Sequence, residues 1–334
     1  MKPELTIIIV NCNSKDHVKK CLKSIDVALK YFGKATQIIV IDGASYDGCG
    51  EMISNEFPNV EFIQSEYNIG FGACNNLAFN QALGRYVFFL NPDTVVEFDA
   101  IKKLHTAIKE HPDAGVVGAK LLNNDGTIQD SCIRKTPNPL ITTIGSEYLK
   151  KKLPFSILWG PFAKDLRDDC SHIVDAISGA AMFMRYDVFS EIGRFSKEFF
   201  MYGEDMDLCM KSRKYGYLNY YIPGAKIVHY GGGSSSEKLN AVSIVMKRIS
   251  GYKYFNRNYG IHIASLYRFL QLVSAVIRIS IVSAIAIKNG TLSKGNRNTL
   301  KKWWFVSLWS LGIEKVAEPS DYEKQFVKEK QLVL

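Results

Sequence analysis

Short runs of β-branched and aromatic residues alternate with stretches of helical periodicity along the first part of the chain. Leu5 to Val10 reads as a strand, Asp16 to Lys30 as a helix, Gln37 to Ile41 as a strand, Gly50 to Phe57 as a helix, and Val60 to Gln64 as a strand. After another helical stretch comes the strand Arg85 to Leu90. This rhythm predicts an α/β fold with a mainly parallel central sheet covered by helices. Ligands of such sheets bind beyond the carboxyl ends of the strands, so the residues just after each apolar run are candidates for function. They are Asn11-Cys12-Asn13-Ser14, Asp42-Gly43-Ala44-Ser45 and Asn91-Pro92-Asp93.

Further on, Pro137-Asn138-Pro139 and Pro154 mark loops, and Ile177 to Met184 is an apolar stretch. A helix is expected from Asp205 to Tyr215, stopped by Gly216, and then a short strand from Ala225 to Tyr230 that runs into Gly231-Gly232-Gly233-Ser234-Ser235-Ser236. That loop places a domain boundary, giving a catalytic domain at residues 1–236 and a helical C-terminal region at 237–334. In the latter, Ile263 to Ile287 is 25 residues long and strongly apolar, enough to span a bilayer by length. Arg268 and Arg278 interrupt it, each costing about 2.5–3.5 kcal/mol near a bilayer centre. With Gln271 and Ser274 they share one helical face, so an interfacial amphipathic helix is expected rather than a spanning one. Trp303, Trp304 and Trp309, after Lys301-Lys302, read as a second interfacial anchor. The competing expectation is that both helices pack on the catalytic domain.

Charge sharpens this division. The 334-residue chain carries +9, yet Ala241 to Ile313 holds eleven Lys/Arg and no Asp/Glu, leaving 31 basic against 33 acidic residues elsewhere. The basicity belongs to the tail, which argues for an anionic membrane surface and against a nucleic-acid-binding catalytic domain. RNA, or a solvated face with no partner, are the other readings of the same charges. Composition, at 47% hydrophobic and 22% charged, is ordinary for a globular protein and indicates neither a disordered nor a polytopic membrane chain. Seven scattered cysteines with no Cys-x-x-Cys pair disfavour a disulfide framework and a zinc site, and fit a reducing compartment. The run Ile7 to Val10 is too short for a signal-peptide core. No Gly-x-Gly-x-x-Gly follows the first strand, which weakens a dinucleotide-dependent oxidoreductase.

Three features could carry chemistry. Asp93, in the turn after a buried strand, could ligate a hard cation, although Asn-Pro-Asp-Thr is also good turn chemistry. Glu204-Asp205-Met206-Asp207 puts three acids at a helix start, where capping and the helix dipole already favour them; one could be a general base. His229 ends a strand and could complete a metal site, or be purely structural.

These pieces assemble into an ordered set. Ile9-Val10-Asn11-Cys12-Asn13-Ser14, Val40-Ile41-Asp42-Gly43-Ala44-Ser45-Tyr46-Asp47-Gly48, Asn68-Ile69-Gly70-Phe71-Gly72, Phe89-Leu90-Asn91-Pro92-Asp93 and Gly203-Glu204-Asp205-Met206-Asp207-Leu208 are joined by Ser178-Gly179-Ala180-Ala181-Met182, Phe199-Phe200-Met201-Tyr202 and Val228-His229-Tyr230-Gly231-Gly232. Over residues 5–236 this resembles glycosyltransferase family 2, in its rhamnosyltransferase-like branch. The resemblance implies a GT-A fold and an inverting, metal-dependent transfer from a nucleotide diphosphate sugar, with L-rhamnose from its dTDP donor as the leading candidate. It implies a lipid-linked or polysaccharide acceptor in cell-surface glycan synthesis, and an enzyme peripheral to the inner face of the cell membrane in the cytoplasm. A homo-oligomer formed through the C-terminal region is a further implied option.

Carried over position by position, Asn11, Asn13 and Asp42 would contact the nucleotide base and ribose. Asn68, Gly70 and Asn76 would shape the donor pocket, and Glu204 joins the nucleotide-sugar-binding set. Asp93 and His229 would hold a divalent cation (Mg2+ or Mn2+), and Asp205 would be the catalytic base. One departure stands out: Asn91 occupies the first acid position of the family's Asp-x-Asp element, leaving one carboxylate instead of two, so cation binding is expected to be weak without donor. The alternative from another class is a non-catalytic nucleotide-sugar-binding subunit of a membrane assembly. Keeping Asp42, Asp93, Asp205 and His229 together argues against it.

Overall fold

Four strands, β1 (Leu5–Asn11), β2 (Thr36–Asp42), β3 (Glu61–Gln64) and β4 (Tyr86–Leu90), run parallel in the order β3-β2-β1-β4 in this computed structural model. The structure describes residues 2–129, 131–144, 170–231, 240–291 and 293–313. Every residue of β1 and β4 is buried, which is why both read as unbroken apolar runs without alternation: helices cover both faces. Crossovers are made by α1 (Lys15–Phe32), α2 (Cys49–Glu56) and α3 (Phe71–Phe79). Helix α1 buries Val18, Cys21, Leu22, Ile25, Ala28 and Phe32 at helical spacing. It stops at Gly33, whose φ of 66° lets its N–H reach Leu29 O at 2.9 Å.

Beyond β4 come β5 (Thr94–Val96), α4 (Ala100–Glu110), β6 (Ala114–Leu122), β7 (Ile133–Arg134) and α5 (Pro139–Ile144). They are followed by β8 (His172–Val174), β9 (Ala176–Ile177), β10 (Ala181–Arg185), α6 (Tyr186–Glu191), α7 (Glu204–Lys214) and β11 (Leu218–His229). The sheet continues from β4 as β10-β6-β11-β5, with β8 also on β11, while β7 and β9 form a separate pair. Strand β10 is antiparallel to both β4 and β6. The expected central sheet is therefore present: it is parallel across the half the sequence rhythm marked, and mixed across the rest.

Two details differ from the sequence expectation for local reasons. The apolar stretch Ile177 to Met184 is not one strand but two, β9 and β10, broken by the turn Ser178-Gly179-Ala180. The strand expected from Ala225 begins earlier, at Leu218, because Pro223 and Gly224 sit in a register shift between Ile222 and Lys226 instead of ending the strand.

By contacts the chain forms two compact units, each described by itself. The first holds every strand above with α1 to α4, α6 and α7. The second gathers α5 with α8 (Asn240–Tyr259), α9 (Ile261–Lys288) and α10 (Lys294–Leu311). Helix α9 is long and apolar enough to cross a membrane by length and composition. Its polar face, shared by Arg268, Gln271, Ser274 and Arg278 as the sequence indicated, turns inward. Gln271 is fully buried and donates to Thr143 Oγ1 at 2.8 Å, Arg268 donates to the carbonyls of Trp309 and Ser310 at 2.7 and 3.1 Å, and Arg278 lies 4.5 Å over the Trp303 ring. Arg268 thus satisfies carbonyls at the C-terminus of α10, where the helix dipole also favours a cation. Leu266, Phe269, Val276, Ile277 and Ile281 are exposed instead. Of the three tryptophans, Trp303 and Trp309 are each only 5% exposed and Trp304 is 57% exposed, so only Trp304 presents an open ring.

Replacing Arg268 by Met removes two charge-assisted hydrogen bonds, leaving Trp309 O only its bond from Gly312 N and taking the guanidinium from Ser310 O, a cost of about 2–3 kcal/mol. The expected result is faster amide hydrogen exchange in residues 294–311, while exchange in β1 and β4 is unchanged.

Candidate active site

The parallel registers align Asn11 with Asp42 and Asp42 with Gln64, and place Asn91 just past the end of β4. One sheet edge therefore carries all of these side chains. Asn11 is fully buried, and its Nδ2 donates to Asp42 Oδ1 at 2.7 Å, with Ser45 Oγ and Asp47 Oδ1 at 3.2 and 3.1 Å. Its Oδ1 accepts from Ser14 N at 3.1 Å. Asp42 also accepts from Ser45 N at 3.0 Å, Tyr46 N at 3.2 Å, Gln64 Nε2 at 2.8 Å and the Ser45 hydroxyl. Asp47 in turn ties Lys15 N and Cys49 N, the starts of α1 and α2, at 2.9 and 3.0 Å. A cleft opens beside this cluster, lined by Asp42, Tyr46, Asp47 and Gln64 among others.

Holding these loops bends the backbone into unusual states. Asn13, Ala44 and Tyr46 adopt left-handed φ values of 53°, 61° and 50°. For residues with a Cβ each such conformation costs about 1–2 kcal/mol, and such costs concentrate at functional loops. Asn13 itself is exposed at the mouth of the first loop.

Asn68 lies against the same region, its Nδ2 3.9 Å from Cys12 Sγ and its Oδ1 accepting from Gly70 N at 3.2 Å. Gly70 and Asn76 have different partners, both in the segment 195–200. Gly70, at φ 86°, has no room for a Cβ against the Phe200 carbonyl, and Phe71 N donates to that same carbonyl at 3.0 Å. Asn76 exchanges two bonds with the Phe195 backbone, at 2.8 and 3.1 Å. These two residues brace the segment that leads into the acid cluster.

At the other end of the edge, Asp93 and His229 come together. His229 Nε2 is 3.3 Å from Asp93 Oδ1 and 3.5 Å from Asn91 Nδ2. Pairing of β5 with β11 sets His229 opposite Thr94, and Tyr230 N donates to Asp93 O at 2.9 Å. A carboxylate and an imidazole nitrogen facing each other form a donor set suited to a small divalent cation. Among the described residues no group of three His, Cys, Asp or Glu converges, in keeping with Asn91 in place of an acid.

The turn Ser178-Gly179-Ala180 joins this pair to the acids of α7. Asn91 N donates to Ala180 O at 2.9 Å, and one residue away Gly179 N donates to Asp205 Oδ2 at 3.0 Å. Asp205 Oδ1 accepts from Met206 N at 2.8 Å, and Arg134 Nη1 stands 3.6 Å from Oδ2. A Cβ at Gly179 would sit 3.3 Å from that of Asp205, so the glycine allows the close approach. The three acids part company here. Asp207 is fully buried, accepts from Ser196 Oγ at 2.5 Å and lies 3.9 Å from Lys211 Nζ, a packing arrangement. Glu204 is buried with Oε2 lacking a hydrogen-bond partner, and burial together with the Asp205 charge pushes its carboxyl from the ordinary 4.5 up to about 8. Glu204 therefore holds a proton at neutral pH beside Asp205.

The sequence reading missed Arg134 and Gln129. Gln129 contacts His229 from 100 residues away in the chain, and Arg134 contacts Asp205 from the two-residue strand β7. Neither has a local signature, since each is brought in by pairing distant in sequence.

Buried acids and an imidazole gathered near the carboxyl ends of the strands put this site where α/β sheets bind ligands. Residues 6–192 match the model of the family described as glycosyl transferase family 2, and the chain belongs to that family. It is 26% identical over 242 residues to an N-acetylglucosaminyl-diphospho-decaprenol L-rhamnosyltransferase of Mycobacterium tuberculosis, covering 69% of this chain and 77% of that one. It is 24% identical over 233 residues to the rhamnosyltransferase WbbL of Escherichia coli, covering 67% and 82%. Among solved structures, the mannosyltransferase PcManGT from Pyrobaculum calidifontis, in complex with GDP-Man and Mn2+, aligns with a TM-score of 0.54 at 14% identity over 92% of this chain and 86% of that one. GalNAc-T7 with UDP, GalNAc and Mn2+ aligns with a TM-score of 0.52 at 15% identity over 68% and 43%. At these identities the structural likeness speaks for the fold, which is GT-A as the resemblance implied, with a helical C-terminal region.

Two outcomes follow from the geometry. Because the raised Glu204 carboxyl favours the folded state while protonated, wild type loses stability relative to Glu204→Gln as pH rises from about 4.5 to about 8. The gap in Tm between the two is expected to open across that window and stay constant above it; a gap independent of pH would refute the buried-acid assignment. Gly70→Ala, strained and blocked at once, is expected to cost about 2–4 kcal/mol, read as a lowered urea midpoint.

Proposed function

We propose that this glycosyltransferase moves a hexose, L-rhamnose from its dTDP donor in the first instance, onto a lipid-linked or polysaccharide acceptor in cell-surface glycan synthesis. The observation that supports the reading is the turn 178–180, whose Ala180 carbonyl accepts from Asn91 N, two residues before Asp93, and whose Gly179 N donates to the Asp205 carboxylate. The names of the bacterial relatives support the donor sugar and the lipid-linked acceptor.

In this reading Asn11, Asn13 and Asp42 form the nucleotide end of the site, with Asp42 positioned by its five donors and the Asn68 loop alongside. Asp93 and His229 would hold a divalent cation, whose chemistry there is to offset the charge of the departing diphosphate. Asp205 takes the proton from the acceptor hydroxyl as that oxygen attacks the anomeric carbon. Protonated Glu204 beside it can donate a hydrogen bond without adding a second negative charge. Arg134 offers a guanidinium next to the base, suited to anionic oxygens of the donor. One base and one displacement give inversion at the anomeric carbon, with no covalent sugar adduct. The helical C-terminal region, basic and with an apolar outer face on α9, fits a role at the inner face of the cell membrane, with self-association as the alternative use of the same surface.

The test is transfer or donor hydrolysis with a panel of nucleotide sugars and Mg2+ or Mn2+, using membrane extract as acceptor source. One donor is expected to turn over, with Asp205→Asn lowering kcat by about 10²–10⁴-fold and Asp93→Ala abolishing activity. If a donor binds but none reacts, the non-catalytic nucleotide-sugar-binding subunit becomes the better reading.

A further inference from the structure

We propose that Gln129 is a positioning residue that fixes His229 in the ring tautomer a cation requires, through a two-point clasp on residue 229. The inference rests on the reading of Asp93 and His229 as the cation site. Its logic starts from atoms whose roles are not adjustable. Gln129 Nε2 lies 2.5 Å from the backbone carbonyl of His229, and a carbonyl can only accept, so that end of the amide must be the NH2 group. The other end is then Oε1, which lies 2.9 Å from His229 Nδ1. An amide oxygen can only accept as well, so the proton must sit on Nδ1, and the neutral ring presents a lone pair at Nε2.

That bare nitrogen faces Asp93 Oδ1 at 3.3 Å, while the nearest donor, Asn91 Nδ2, is 3.5 Å away and beyond good hydrogen-bond reach. A carboxylate oxygen and an imidazole lone pair facing each other form a pair that a cation can bridge. In metal sites a ligating histidine commonly donates its other ring N–H to an oxygen acceptor, which fixes the tautomer and raises ligand basicity; loss of that acceptor typically costs 10–100-fold in metal affinity. Gln129 occupies that position here.

The clasp is held rigidly from behind. Gln129 N donates to Leu121 O at 2.9 Å, Leu122 and Ile128 form a bridge, and Asn123 N donates to Thr127 O at 2.7 Å, closing a tight hairpin at the end of β6. Ser131 Oγ reaches Gln129 Oε1 at 3.4 Å, steadying the amide in the same orientation. On the other side, β11 pairs with both β6 and β5, so the hairpin, His229 and Asp93 share one framework. A single clasp therefore sets both the ring's proton and its direction.

The test uses the full chain, with side-chain 15N NMR of His229 at alkaline pH without metal, and Mn2+ alone titrated by electron paramagnetic resonance. Wild type is expected to show the Nδ1–H tautomer; a ring protonated at Nε2 would overturn the proposal with no variant needed. Gln129→Leu is expected to give a mixture of tautomers and bind Mn2+ about 10–100-fold more weakly. Gln129→Glu, which keeps an acceptor for Nδ1 but loses the donor to the His229 carbonyl, should restore the Nδ1–H tautomer lost in Gln129→Leu, whereas a merely structural role would leave the tautomer alone. Mn2+ binding that is lost in His229→Ala but intact in Gln129→Leu overturns the clasp alone. Mn2+ binding that survives His229→Ala overturns the cation reading, and the inference with it.

Discussion

The antiparallel pairing of β10 against β4 is the constraint on which the site depends. Ala181 opposes Leu90 at the ends of these strands, so the chain entering β10 must pass directly beside the chain leaving β4. Through that one register the backbone at residue 180 meets Asn91, and the backbone at residue 179 meets Asp205. Sliding it by two residues would move the turn 178–180 about 7 Å along β4, away from Asn91. Side chains from three distant stretches of chain become neighbours because two backbones cannot choose otherwise.

Around that junction the protein separates two kinds of buried polar group. Asp42 and Asn11 are saturated by fixed donors and acceptors, which holds the loops after β1 and β2 rigidly together. Glu204, with an unpartnered oxygen and a raised carboxyl, is the opposite case: its polar capacity is left open beside Asp205. A few residues apart, Asp207 has the same chemistry as its neighbours and is used only for packing against Ser196 and Lys211.

Much of the first half of the fold was legible because it is written locally. Strands β1, β2 and β4 are buried almost throughout and the helix α1 between them carries helical spacing, so apolar runs and periodicity sufficed. Asn11, Asp42 and Asn91 could be singled out because parallel strands deliver whatever follows them to one edge. What stayed hidden depends on pairing across long separations: the turn inside Ile177–Met184, the hairpin that brings Gln129 to His229, and the short strand that brings Arg134 to Asp205. The three acids at 204, 205 and 207 are indistinguishable as letters and differ only in what surrounds them. In the C-terminal unit the shared face of Arg268 and Arg278 was visible, but its direction was not, because periodicity says which residues share a face and not which way that face turns.

The left-handed backbone at Asn13, Ala44 and Tyr46 has a consequence for how this protein can change. Glycine would relieve the Cβ crowding at each of these positions, yet it would also widen the range of shapes open to the loops around Asn11 and Asp42. A lineage or an engineer seeking heat tolerance would meet a conflict there, since firmness of the loops and comfort of the backbone pull in opposite directions. Adaptation is freer in the helices and far strands, where stiffness and stability increase together.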